Sequence, residues 1–304
     1  MLRVIHSPRY ECDIGAHVFP IHKFRLALER LLAEGVVTPE RVLEPEPLPL
    51  EALESVHTPG YLREFLELRP TPRVLASELP ITAAIRDAYL LAAGGTTRAA
   101  RCALEDGSSM HLGGGYHHAM PDHAEGFCYL NDIAIAIRVL QKDGALERAA
   151  VIDTDVHQGN GTARIFQDDA SVYTFSMHQE NNYPIKERSD WDIGLPDRVE
   201  DDAYLELLRD ALPRILDTHR PQLVMMVAGA DPYCEDQLGG LNLSLDGLQA
   251  RDQSVVDACA QRGIPVVGLT AGGYAQRIED TVTIHVNTTR ALQTWPRHRG
   301  GRDA

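Results

Sequence analysis

The sequence predicts an α/β domain built on a doubly wound, mainly parallel sheet flanked by helices. Two observations carry that expectation. Short apolar runs rich in Val, Ile and Leu recur along the chain without polar alternation, the pattern of strands buried on both faces. Segments with helical apolar spacing fall between them, and such alternation builds a parallel sheet with helices on either side. The 304 residues, 44% hydrophobic and 24% charged, can bury a core large enough to hold a rigid site without disulfides. No internal repeat or low-complexity linker divides them. Residues 1–295 are therefore expected to form one domain, and the basic, glycine-containing end at 296–304 a disordered tail.

The elements follow in order. Val4 and Ile5 open the first strand. Residues 38–50, rich in proline and glutamate, read as a surface loop. Residues 110–112 form a second strand, just ahead of a glycine run. Asn131 and Asp132 can cap a helix that carries Ile133, Ile137 and Leu140 on one face. Strands are expected at 149–152, 172–175, 223–227 and 264–269. Asp202 opens a helix with Leu205, Leu208, Leu212 and Ile215 at helical spacing. A third helix spans 246–262, stopped by Gly263 and Pro265. Residues 179–196, with Tyr183, Pro184 and Trp191, read as part of a rim or as packing aromatics.

A formal charge of −15 repels nucleic acid and anionic membranes, so neither is an expected partner. It favours cationic substrates such as lysine tails or polyamines, and serves solubility equally well. Five cysteines without a C-x-x-C pair read as reduced thiols of a cytoplasmic protein. The N-terminus lacks the apolar stretch of a signal peptide, and no run is long enough to span a bilayer.

Four strand ends carry groups capable of chemistry. Asp153, Asp155 and His157 alternate where an apolar strand ends, so they can share one face. Such carboxylates and an imidazole are reasonable zinc ligands, with Gly159 and Gly161 allowing a tight turn beneath them. A capping aspartate and a satisfied histidine would read the same way. Gly113-Gly114-Gly115-Tyr116-His117-His118 sets two imidazoles at a cleft, where they can pass protons near neutrality; a loop with surface histidines is the alternative. Asp231, in Ala228-Gly229-Ala230-Asp231-Pro232, is a natural third ligand or an Asp-Pro turn. Tyr274, after Gly272 and Gly273, can hydrogen-bond an oxyanion or pack at a helix start. Four strand ends with complementary groups are harder to dismiss than any one. Asp155, His157 and Asp231 would leave one zinc position open for water.

Taken together, these strings resemble the histone deacetylase family. Gly126-Phe127-Cys128-Tyr129-Leu130-Asn131-Asp132 and Val56-His57-Thr58-Pro59-Gly60-Tyr61-Leu62 match it as well. The likeness runs from about Ser7 to about Leu292. His157-Gln158-Gly159-Asn160-Gly161 and Ala271-Gly272-Gly273-Tyr274 look most like the class IV branch. The resemblance implies an arginase/deacetylase-like fold and a zinc-dependent amidohydrolase. It implies zinc, with Fe2+ the alternative, on Asp155, His157 and Asp231. His118 would be general base and then acid. His117 would stabilise charge with Asp153 as its partner, and Tyr274 would serve the oxyanion. Gly115 and Phe127 would line the substrate channel. A structural potassium ion is implied at Asp153, Asp155, His157, Ser176 and Met177. Asn160 stands where class I proteins place an aspartate behind the second histidine. A neutral amide stabilises the imidazolium less, so a lower His118 pKa is expected.

The implied reaction is deacylation of acetyl- or longer-chain acyl-lysine in proteins. Acetylpolyamines or small acetylated metabolites are the alternative substrates, and a non-catalytic acyl-amine binder is a more distant reading. A two-manganese ureohydrolase of the arginase type is disfavoured because Gly159 stands two residues past His157, where that class carries a further aspartate. Oligomeric state, acyl-chain length and the true substrate are not fixed by the sequence.

Overall fold

The structure, a computed structural model, describes residues 2–296. Eight strands form one sheet: β1 (Arg3–Ile5), β2 (Val42–Leu43), β3 (Ser108–His111), β4 (Ala149–Asp153), β5 (Val172–Gln179), β6 (Trp191–Leu195), β7 (Leu223–Val227) and β8 (Val266–Leu269). Their spatial order is β2-β1-β3-β8-β7-β4-β5-β6, and every pairing between neighbours is parallel. Parallel pairing needs a crossover between strands. The crossovers include α1 (Lys23–Ala33), α2 (Leu50–Leu53), α3 (Pro59–Leu66), α4 (Pro72–Leu75), α5 (Ala83–Asp106) and α6 (Asp132–Lys142). They continue with α7 (Asn160–Phe166), α8 (Asp201–His219) and α9 (Leu245–Ala260), and α10 (Ile278–Gln293) follows β8.

The two-sided burial expected of the sheet is visible strand by strand. Ala150 and Ile152 of β4, Val224 and Met226 of β7, and Val266 of β8 join the core that holds α1, α8, α9 and α10. Their alternates, Ala149 and Val151, Leu223, Met225 and Val227, Val267 and Leu269, join the core that holds α5 and α6. Successive side chains on opposite faces thus serve two helical layers. Asn131 caps α6 by accepting from the Ala134 N–H at 2.9 Å, and Ile133, Ile137 and Leu140 are fully buried. Truncating one of these to alanine costs about 2–5 kcal/mol.

Several expectations need correction. Residues 38–50 are not all loop, because Val42 and Leu43 pair with Val4 and Ile5; two residues carry no periodic signal. Residues 191–195 form the edge strand β6. Trp191 packs edge-on against Phe175 at 5.8 Å and under Arg214, which makes it a packing residue. Helix α9 starts after Ser244, whose hydroxyl accepts from the Gly247 N–H, rather than at Asp246. Gly161 serves close approach instead of a reversed turn: a Cβ there would lie 2.4 Å from the Ala119 carbonyl oxygen. Of the expected tail, all but Pro296 lies outside the described residues.

His57 ties the start of α6 to the loop after β3. Its Nδ1–H donates to the Met120 carbonyl at 2.9 Å and its Nε2 accepts from the Asn131 N–H at 3.0 Å. Both ring nitrogens are satisfied only in the neutral form. Burial pushes its pKa down to about 4. Burial, and then His6, push His111 to about 3. An unfolded histidine titrates near 6.5, so between about 6.5 and 4 only the unfolded chain gains these protons. Stability should therefore be lost on acidification through that window, by up to about 1.4 kcal/mol per pH unit per buried imidazole. Urea denaturation from pH 7 to 4.5 should show this fall, and His57→Gln should show a shallower one; equal slopes would contradict the assignment.

Candidate functional site

The four strand ends singled out in the sequence belong to four adjacent strands, β3, β8, β7 and β4, at the centre of the sheet. Ligands of open α/β sheets bind beyond the carboxyl ends of the strands. The segments leaving these four strands therefore converge on one place. Asp155, His157 and Asp231 each offer a ligand atom there, all within 4.8 Å of one another. His157 Nδ1 stands 3.2 Å from Asp155 Oδ1 and 3.2 Å from Asp231 Oδ2. No other group of three metal-capable side chains occurs among the described residues.

Local hydrogen bonds fix these side chains. The Asp155 N–H donates to Asp153 Oδ1 and the His157 N–H to Asp155 Oδ1, which curls the chain leaving β4. The Val156 N–H donates to Asp231 Oδ1 at 2.9 Å, and the Gly272 N–H to Asp155 Oδ2 at 2.9 Å. Arg251, fully buried and paired with Asp252 at 2.7 Å, donates to the carbonyls of Thr154 and Gly229 and so clamps the two ligand-bearing loops together. The donor set fits a cation on its own chemistry: two buried carboxylates carry like charge in low dielectric and need a positive partner. Without a metal that partner is His157. Burial opposes its charge, but the Asp155 and Asp231 carboxylates outweigh it and raise the pKa to about 10.

The histidine pair sits beside this group. His117 Nδ1 donates to Asp153 Oδ2 at 2.7 Å, and the Nε2 atoms of His117 and His118 lie 3.1 Å apart. Burial lowers the His117 pKa, but Asp153 and Asp155 overcome it and bring it to about 9. Burial, then His117 and His157, hold His118 well below its ordinary value. Two adjacent imidazoles are thereby split into a cation and a neutral base, the separation that acid–base sites rely on. His118 Nδ1 donates to Asn160 Oδ1 at 2.8 Å.

Tyr274 and Phe127 face each other edge-to-face at 5.9 Å. The Tyr274 N–H donates to Asp236 Oδ2, and its carbonyl accepts from Gln237. Phe127 has a left-handed backbone (φ 64°), and its N–H donates to the Ser77 carbonyl. Together with Phe19, Gly115 and Gly272, these rings line a narrow throat of about 20 Å³ that ends at His117, Asp155 and His157. Outside it a mouth of about 210 Å³ is bounded by Glu78, Asn182, Tyr183 and Leu238. Tyr183 is thus a rim residue, with its ring 5.3 Å from that of His118.

All the site residues named from sequence come together here except Ser176 and Met177, which lie one strand away. Ser176 stands opposite Asp153 in register, and its hydroxyl contacts His178 Nδ1 at 2.9 Å. Besides Arg251, further supporting residues were not singled out from the sequence. Lys23, wholly buried, donates to the Ala271 carbonyl at 2.6 Å behind Tyr274. Burial lowers its pKa to about 8 against the pull of Asp231, Asp155 and Asp236. Asp132, read only as a cap, accepts from the N–H groups of Gly115 and Tyr116 and anchors the histidine loop. Phe19 stacks on Phe127 at 6.2 Å. Nothing in the spacing of these residues announces them, though a lone lysine at the start of an amphipathic helix was a weak sign.

The family profile described as the histone deacetylase domain matches residues 17–289. An uncharacterised protein of Picosynechococcus is 44% identical over 95% of this chain and 98% of its own. A protein named probable deacetylase from Archaeoglobus fulgidus is 33% identical over 84% of this chain and 76% of its own. Histone deacetylase 2 of Arabidopsis thaliana is 28% identical over 96% of this chain and 80% of its own.

Metal binding should release a proton, because His157 carries one in the metal-free site and a ligating imidazole must lose it. Calorimetric titration of the metal-free chain with Zn2+ at pH 8 should give one site, with an enthalpy that changes with buffer ionisation heat. Asp231→Asn should lose the binding and the accompanying rise in melting temperature. A stoichiometry of two, or binding that survives in Asp231→Asn, would contradict the site.

Proposed function

The chain belongs to the histone deacetylase family, and we propose that it hydrolyses the amide of acyl-lysine in proteins, with acetyl preferred over long acyl chains. The observation that carries this reading is the meeting of Asp155, His157 and Asp231 with a histidine pair and Tyr274 at the inner end of one throat. Asp155, His157 and Asp231 would hold zinc, with Fe2+ the alternative ion; two carboxylates and an imidazole suit a catalytic site with an open position. Bound there, the ion supplies Lewis acidity that polarises the acyl carbonyl and lowers the pKa of a water to about 7.

The chain's own groups do the rest. His118, kept neutral, accepts the proton of the attacking water and later delivers it to the leaving amine. His117, kept cationic by Asp153, places positive charge beside the developing anion. The Tyr274 hydroxyl donates to the carbonyl oxygen as it gains charge. Gly115 and Phe127 form the walls along which the lysine stem lies. Asn160 orients His118 through its Oδ1. Asp153, Asp155, His157, Ser176 and Met177 would hold a structural potassium ion where β4 and β5 meet.

The narrowness of the throat between Phe19, Gly115, Phe127 and Tyr274 supports a short acyl group such as acetyl. The five free thiols fit a reducing compartment, the cytoplasm. No helix among the described residues is long and apolar enough to cross a membrane. The exposed Glu78 at the mouth, on a left-handed backbone (φ 65°), favours a second reading: an acetylated polyamine, whose free ammonium would meet that carboxylate.

Acetyl-, butyryl- and myristoyl-lysine peptides and acetylputrescine, each with and without chelator, test the reading. Chelator-sensitive turnover falling from acetyl to myristoyl is expected. Faster turnover of acetylputrescine would favour the polyamine, and absence of turnover on all four would overturn deacylation. Tyr274→Phe should reduce kcat by ~10²–10³ with metal content unchanged; near-normal turnover would remove Tyr274 from the mechanism.

A further inference from the structure

The side chain behind His118 does not end at a neutral amide. Asn160 Nδ2 donates to Glu125 Oε1 at 3.1 Å, so three side chains run in series: His118, Asn160, Glu125. Asn160 is 1% exposed, and Glu125 is itself placed. The Tyr183 hydroxyl donates to the same Oε1 at 3.2 Å, and His123 Nε2 stands 3.6 Å from Oε2.

The chemistry of this row decides a proton. An asparagine amide can present either its oxygen or its NH₂ to a given neighbour, and the two orientations are nearly equal in shape. An ionised carboxylate only accepts. Glu125 therefore requires the NH₂ of Asn160 on its side, which leaves the oxygen facing His118. That oxygen in turn requires a proton on His118 Nδ1. The lone pair of His118 then lies on Nε2, which faces His117 and the reacting end of the throat. Without Glu125 the amide is free to turn. Its NH₂ would then meet Nδ1 and press the proton towards Nε2, where the Nε2–H of cationic His117 already stands 3.1 Å away; caught between two donors, neither tautomer of His118 is satisfied and the base loses its placement.

We propose that Glu125 is a positioning residue for the general base, setting the tautomer of His118 through the amide of Asn160. It rests on the deacylase reading above. Glu125 supplies, one residue further out, the carboxylate that an aspartate at position 160 would supply directly. The arrangement also makes a reciprocal demand: an aspartate at 160 would face Glu125 as a second carboxylate across a 3.1 Å contact, which two like charges do not tolerate together.

The test is a double-mutant cycle on Glu125→Gln and Asn160→Asp. Glu125→Gln no longer forbids the amide flip, and should lower kcat by about 10–100-fold with KM little changed, the usual cost of losing an outer partner. Asn160→Asp alone should also lose kcat. Together they restore the row with donor and acceptor exchanged. The amide NH₂ introduced at position 125 donates to the carboxylate introduced at position 160, and that carboxylate accepts from His118. The double variant should recover kcat above either single one. Losses that simply multiply would overturn the proposal. A second measurement does not depend on turnover. In the zinc-loaded protein, ¹⁵N resonances of the His118 ring, assigned by their loss in His118→Gln, should report Nδ1–H in the wild type and a mixture in Glu125→Gln. Nε2–H in the wild type, or an unchanged ring in Glu125→Gln, would overturn the proposal. If the wild type turns over no acyl amine, the deacylase reading fails, and the ring tautomer still decides the role of Glu125.

Discussion

Two carboxylates buried a few ångströms apart, Asp155 and Asp231, impose the central constraint on this molecule. Each is almost fully inaccessible to water, and an unpaired buried charge costs several kcal/mol. The structure answers with backbone N–H donors from Val156 and Gly272, with His157 between the two carboxylates, and with Lys23 buried nearby. The same three side chains could hold a metal ion.

The same electrostatics divides labour between His117 and His118. They are neighbours in sequence and their rings touch, with centroids 4.0 Å apart. Only one of them has a carboxylate as its direct partner. Asp153 makes His117 the cation, and the charge on His117 helps to keep His118 neutral. A nucleophile's proton can then go to one imidazole while the other faces developing negative charge. Polar rows stand behind the pair, Asp153 on one side and Asn160 with Glu125 on the other.

The sheet supplies the geometry that makes this possible. Its parallel strands all end at one edge, and β3, β8, β7 and β4 lie side by side although they are far apart in the chain. The layers on either face hold those ends rigid, with Arg251 pinning the loops after β4 and β7 and Asp132 pinning the loop after β3. Rigidity of this kind keeps a catalytic constellation at working geometry.

Much of this was legible in the residues. The unbroken Val/Ile/Leu runs of β4 and β7 announced doubly buried strands, since a strand covered on both faces has no polar side to show. The aspartates and histidines at their ends announced the site, because polar groups directly after such runs sit at the sheet's carboxyl edge. The two-residue β2 and the half-exposed β6 were not legible, being too short or too mixed to carry a period. Nor were Lys23, Glu125 and Arg251, whose roles depend on partners 248, 35 and 97 residues away. The sequence by itself thus determined the fold class, the candidate ligand types and the histidine pair, because periodicity and local spacing are written along the chain. Only the tertiary structure decided which imidazole has a carboxylate for its partner, which side chains stand behind the other, and how narrow the throat is. Those depend on distances across strands, and long-range contacts leave no trace in local spacing.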